Sequence, residues 1–336
     1  MEAVKVRGRE FSYSHTIGNA AIFCYPVHLS LDSHNNLYVV NRGHDGDWVF
    51  GINKITVDET EIGKFGGDGE TDGRFVWPTA IAVDSQGLAY VADEWLNRIS
   101  IFDATVEFNG EDIEEKNFLR KWGVGGAEPG QLGGPAGLVL DANEDLYITE
   151  QGNNRVSKFT RKGDFLMTFG GPGSCPGRFA KPWGITTDNQ GSVYIADWGN
   201  DRVQKFSSDG QFLVVIGEPG IGSGKLHRPS DVAVDADGDV YVTDWGQDKV
   251  EVYDADGAHL TTFYGDSEEL SPRGVEYLRL KVEDFDKRQL VTNFEPEFRF
   301  TLPTGIEVDG EGRIFVVDNI RFRLQVYRKK MRQPTI

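Results

Sequence analysis

Residues 181–217 read "KPWGITTDNQGSVYIADWGNDRVQKFSSDGQFLVVIG" and parse as four short strands. "WGITTD" is the first, followed by the turn "DNQG"; "SVYIAD" is the second. "RVQKF" is the third, after "WGND", and "QFLVVIG" the fourth, after "SSDG". Alternating apolar residues bounded by Asp, Asn and Gly are the chemistry of strands and tight turns. Four strands in about 40–50 residues read as one blade of a β-propeller.

The stretch recurs. A Pro, an Asp six residues on and an aromatic six further on align the whole chain. The Pro positions are 26, 78, 135, 182, 229 and 303, and the Asp positions 32, 84, 141, 188, 235 and 309. The aromatics are Tyr38, Tyr90, Tyr147, Tyr194, Tyr241 and Phe315. The last copy stops at "LQVYRKK", after its third strand, while "EFSYSHTIG" near the start matches fourth strands such as "DFLMTFG". The N-terminal strand is therefore expected to complete the last blade, which closes the ring and removes its open edges. The predicted fold is all-β, a single six-bladed β-propeller over residues 1–336. Its parts are 1–18 (outer strand of blade 6), 26–66, 78–123, 135–170, 182–217 and 229–265 (blades 1 to 5), and 303–330 (the rest of blade 6). An insertion, 266–302, precedes blade 6 and reads as an extra hairpin on the rim or a lid over a pocket. The repeat "G-x-F-x-x-P-x-G-I-x-V-D…Y-V-x-D-x-x-x-N-R-V-x-x-F" resembles the NHL repeat over nearly the whole chain.

Composition narrows the function classes. The chain has 35 Lys and Arg against 53 Asp and Glu, a net charge of −18. Such a surface repels phosphate backbones, so nucleic acid is a poor partner. No run of about 18 apolar residues exists to span a membrane. The first residues lack the apolar core of a secretory signal. Cys24 and Cys175 are too few for a disulfide scaffold, so the expectation is a cytoplasmic protein.

Several polar patterns recur too regularly to be a site. An acid ends the second strand in five blades (Asp93, Glu150, Asp197, Asp244, Asp318). A base follows five residues later (Arg98, Arg155, Arg202, Lys249, Arg323). These pairs are expected to hold the blade's own turn. Inter-blade loops such as "GGPGSCPGRF" precede strands and not helices, so they are not phosphate cradles.

Function is expected where the blades differ. The loop into the first strand and the loop between the second and third share one face, here called the upper face. Trp48, Trp95, Trp198 and Trp245 fall in second-to-third loops, and Trp77 and Trp183 beside blade-start Pro residues. Aromatic-rich concavities are common ligand sites. His28 stands where other blades have Ala80, Gly137, Gly184, Asp231 and Gly305; His44 lies in the blade-1 loop and His227 just before Pro229. These three His, with Asp45 or Asp231, are the candidate ligands for a divalent metal, Zn or Ca.

Blade 1 is the odd one. "YVVNRGHDGDW" (38–48) resembles the first blade of the peptidyl-hydroxyglycine amidating lyases and their bacterial NHL relatives. That resemblance implies a six-bladed propeller with three zinc-binding His, and an Arg, matched by Arg42, that assists carbon–nitrogen cleavage. The family's zinc His follow the blade-start Pro directly, where this chain has Val27, Thr79, Ala136, Trp183, Ser230 and Thr304.

Two readings result. In one, the propeller binds a small molecule or a protein segment at its Trp-rich upper face. In the other, it is a lyase or hydrolase. Arg42 then steadies a developing anion, His28 or His44 serves as acid–base group or metal ligand, and Asp231 or Asp45 orients it.

Overall fold

Each repeat folds on itself as an antiparallel meander. In blade 4 the strands Pro182–Thr187, Val193–Asp197, Arg202–Phe206 and Phe212–Ile216 pair in chain order, innermost to outermost. The structure, a computed structural model, describes residues 3–43, 49–106, 117–267, 269–280, 288 and 292–330. Six such sheets form a six-bladed β-propeller, as the repeat predicts.

The Pro–Asp–aromatic spacing has a direct physical cause. Asp188 Oδ1 accepts the backbone N–H groups of Gln190 (2.9 Å) and Ser192 (2.8 Å), closing the first turn of the blade. Its Oδ2 accepts the hydroxyl of Tyr194 at 3.0 Å. Lys205, from the third strand, then lies 4.8 Å over the Tyr194 ring and 3.3 Å from Asp188. The Tyr-to-Asp bond recurs at Tyr38, Tyr90 and Tyr241.

No blade can bury both of its faces alone, and the cores lie between blades. Six buried clusters occupy the six seams. At the seam of blades 3 and 4, Tyr147 and Val156 meet Phe179, Ile185, Val193, Ile195 and Phe206. This explains why second strands such as Val193–Asp197 are buried at every residue. Each fully buried Phe or Val contributes about 1.5–3 kcal/mol.

Closure follows the sequence. Arg9–Ile17 pairs with Arg323–Lys329 as the fourth strand of blade 6. A further strand, Val4–Val6, turns back on it through Arg7 and Gly8, which the repeat did not foresee. Lys329, 4% exposed, reaches Asp235 (2.6 Å), Asp237 (2.9 Å) and Asp239 (2.7 Å) in the turn of blade 5. Arg9 joins Asp239 at 2.6 Å. The closing strands are thus tied to the neighbouring blade by charge as well as by pairing.

The insertion corrects the expectation of a hairpin: its described part is helical, α1 (Pro272–Leu280) and α2 (Glu295–Phe298). The local signal is Ser271, whose hydroxyl accepts the N–H of Gly274 at 3.0 Å, with Pro272 at the first helical position. Glu59, buried in blade 1, accepts the N–H groups of Arg273 and Gly18, stapling α1 to the seam. A groove of about 320 Å³ separates α1 from Glu61 and Lys64 on the outer strand of blade 1, so α1 braces the rim. No described helix is long and apolar enough to cross a membrane.

Candidate functional site

The recurrent acid–base pairs form a clamp between blades. The acid accepts the backbone N–H two residues before each Pro: Asp93 from Val76 (2.8 Å), Glu150 from Gly133 (2.9 Å), Asp197 from Ala180 (2.8 Å). Asp244 does so from His227 (3.1 Å) and Asp318 from Thr301 (2.8 Å). The base reaches back to carbonyls of the same incoming loop, as Arg202 does to Cys175 (3.0 Å) and Arg178 (2.9 Å). The pairs therefore fasten the incoming loop rather than the blade's own turn alone. Before blade 6, α2 supplies these carbonyls, Arg323 donating to Glu297 O at 2.7 Å. Blade 1 does the same work with neutral groups: Asn41 accepts from Cys24 N at 3.0 Å and Asn53 donates to Ile22 O at 3.0 Å. Gly51 pairs with Asn41 where the base stands elsewhere.

With acid and base assigned to structure, the residue after the acid and the residue before the Pro are left to face the upper solvent. In chain order the first set is Arg42, Glu94, Gln151, Trp198, Trp245 and Asn319. The second is Tyr25, Trp77, Gly134, Lys181, Arg228 and Leu302.

A pocket of about 600 Å³ opens on this face between blades 6, 1 and 2. Arg42, Trp77, Tyr25, Phe50 and Asn319 line it, with Asp68 at its edge. Arg42 is pinned there: its Nε donates to Pro78 O at 2.7 Å, and its guanidinium carbon lies 4.7 Å from the centroid of the Trp77 ring. Burial lowers its pKa to about 10, against the opposing pull of Glu94 and Asp93, so it stays cationic at neutral pH. Tyr25 is held edge-on against Phe322 at 4.9 Å. Of the candidates on the blade-1 loop, His44, Asp45 and Trp48 lie outside the described residues.

The other Trp candidates divide in two. Trp183, Trp198 and Trp245 form one cluster, with centroids 6.4 and 6.3 Å apart in succession. Trp95 stands at the surface, 68% exposed.

His28 and Asp231 meet in the central channel, in a cavity of about 160 Å³ that Ser30, Thr186 and Glu307 also line. His28 Nε2 is 3.8 Å from Asp231 Oδ2. Burial lowers the His28 pKa to about 4 and raises Glu307 to about 7. Burial also raises Asp231 well above the carboxylate range, though Ile306 N (3.0 Å) and Val232 N (2.9 Å) donate to it. His28 is accordingly neutral at physiological pH. His227 stands apart on the rim, its Nδ1 3.3 Å from Asp201. Among the described residues no group of three or more His, Cys, Asp or Glu could hold a metal ion. Two of the metal candidates named from sequence, His44 and Asp45, lie outside those residues.

Residues 179–206 and 226–251 match the NHL repeat. The two matches fall on blades 4 and 5 of the six-bladed propeller. No curated protein matches the chain in sequence. Similar solved structures include a catalytically inactive virginiamycin B lyase from Staphylococcus aureus with quinupristin, 13% identical, with a TM-score of 0.58. That match covers 95% of this chain and 99% of the lyase. A gluconolactonase from Xanthomonas campestris is 13% identical with a TM-score of 0.58, over 96% of this chain and 91% of its own. An auxiliary nutrient binding protein from Bacteroides thetaiotaomicron is 15% identical with a TM-score of 0.59, over 92% and 70%. The propeller therefore shares its fold with enzymes and with a binding protein, and fold alone does not choose between them.

Proposed function

We propose that this propeller is a ligand-binding protein and that its site is the upper-face pocket between blades 6, 1 and 2. The observation that carries the reading is Arg42, fixed by Pro78 O and the Trp77 ring at the wall of a cavity of about 600 Å³. Val27, Phe50 and Trp77 offer apolar surface, while Arg42 and Asn319 offer donors that orient a guest. A volume in this range takes a small molecule or the end of a peptide. Calorimetric titration with flat aromatic acids, their amides and short peptides tests it. Arg42→Ala and Trp77→Ala are each expected to weaken the binder by about tenfold, or about 1.4 kcal/mol. A ligand whose affinity neither substitution alters would overturn the assignment.

A second reading, a lyase or hydrolase, draws support from the 3.8 Å approach of neutral His28 to Asp231 in the channel. A neutral imidazole can accept a proton, and Asp231 can orient it. Turnover of a lactone or of a peptidyl-hydroxyglycine, abolished in His28→Ala, would support this reading. Turnover unaffected by that change would remove His28 from it.

A further inference from the structure

The chain's excess of acid occupies most of its well-placed cations. Arg155, Arg202 and Arg323 sit 2.8–2.9 Å from the acids that end the second strands. Lys158, Lys205 and Lys329 are likewise paired with turn Asp residues. Three cations of the upper face depart from this pattern. Arg42 rests on Trp77 at 4.7 Å, Lys181 on Trp198 at 5.7 Å, and Arg228 on both Trp198 (4.9 Å) and Trp245 (5.9 Å). Among the described residues none of the three has a carboxylate within ion-pair distance.

The acids of the neighbouring loops are otherwise engaged. Asp201 accepts the Arg228 N–H at 2.7 Å and faces His227; Asp248 accepts the Leu302 N–H at 2.7 Å. Glu94, largely buried, lies within the electrostatic reach of both Arg42 and Lys181 but in ion-pair contact with neither. An indole face holds a cation through its ring electrons and leaves the cation's N–H donors available, where a carboxylate would consume them. The Trp residues thus act as seats for charge.

We infer that the upper face recognises an organic carboxylate, whose charge is received by Arg42, Lys181 and Arg228. The inference rests on the ligand-binding reading and adds the sign of the guest's charge. An acidic chain repels anions at long range, so attraction must come from these local seats, and added salt weakens it.

Small ions test this without a known ligand. Iodide and caesium both quench Trp emission on contact, and a chain of net charge −18 should favour caesium everywhere except at such seats. Taken relative to free N-acetyltryptophanamide, which corrects for the weaker intrinsic quenching by caesium, the expected quenching constant is several-fold larger for iodide than for caesium. It should fall toward the caesium value in Lys181→Gln/Arg228→Gln, and on addition of naphthoate. Lys181 and Arg228 are exposed, so the double variant should fold. Caesium quenching as strong as iodide, or iodide quenching unchanged in the double variant, would overturn the inference. Calorimetry with naphthoate and naphthamide separates it from the pocket reading. Equal affinities would sink the charge inference and leave the pocket standing. Binding of neither would overturn the pocket reading and, with it, the inference that rests on it.

Discussion

His28 Nε2 lies 3.8 Å from Asp231 Oδ2, and the first strand that runs between their blades carries Gly305 at the matching position. A Cβ on Gly305 would stand 3.0 Å from His28 Cα and 3.0 Å from Val317 Cγ2. Gly305→Ala is therefore expected to cost about 1–3 kcal/mol through overpacking of the inner ring. Gly310, whose Cβ would meet nothing within 4 Å, serves as the control. Its Ala variant should stay within about 0.5 kcal/mol of the parent. Urea unfolding of the two variants compares them directly.

The channel groups set a pH dependence. His28 has a pKa of about 4 in the fold against 6.5 when unperturbed, so below pH 6.5 the unfolded chain binds a proton that the fold refuses. Stability contributed by this group is lost as pH falls from 6.5 toward 4. Glu307, raised to about 7, acts in the opposite sense, because the fold holds its proton where the unfolded chain has released it. Asp231, raised by burial, acts in the same sense as Glu307. His28→Asn should flatten the acid loss of stability and Glu307→Gln should steepen it, read as unfolding midpoints between pH 4 and 7. Parallel profiles for all three proteins would contradict this.

The inter-blade clamp gives a third expectation. Arg202 is the cation 2.9 Å from fully buried Asp197. Arg202→Ala should cost about 3–5 kcal/mol, because it leaves a buried charge uncompensated. In blade 1 the sign of the problem reverses. Asn41→Asp would create a buried acid opposite Gly51, with no cation in that position, and should destabilise although it restores the residue type of the other blades.

Ring closure gives a fourth. Lys329 touches three Asp residues, whereas among the described residues the Lys330 ammonium pairs with Glu10 alone, at 3.5 Å and in solvent. Lys329→Ala should lower the unfolding midpoint strongly, and Lys330→Ala should not.

The fold was legible because its turn chemistry is written into the repeat. Asp188, Tyr194 and Lys205 make one bonded unit, and its Tyr-to-Asp bond recurs in blades 1, 2 and 5, whereas Tyr147 donates to Ser208 O and Phe315 has no hydroxyl to give. The closing strand was legible for the same reason. Helix α1 was not, because its signal is the short Ser271–Pro272 start beside apolar residues that also suit a strand. The site was half legible. Arg42, Trp77, Trp198 and Trp245 stood out as unusual residue types, whereas Tyr25, Phe50, Asn319, Lys181 and Arg228 did not. Comparing the six residues before the blade-start Pro, and the six after the second-strand acid, would have found Tyr25, Lys181, Arg228 and Asn319. The approach of His28 to Asp231 stood among the alternatives, since both lie two residues after a blade-start Pro and the ring turns those positions into one channel.

Hydrogen exchange with and without the tightest-binding member of the calorimetric panel tests the central claim most directly. Slowed exchange is expected at residues 25, 27, 42, 43, 50, 76, 77 and 319, which converge on the upper pocket. Protection confined to the lower-face turns at 32–36 and 84–87, with the upper pocket unchanged, would contradict it.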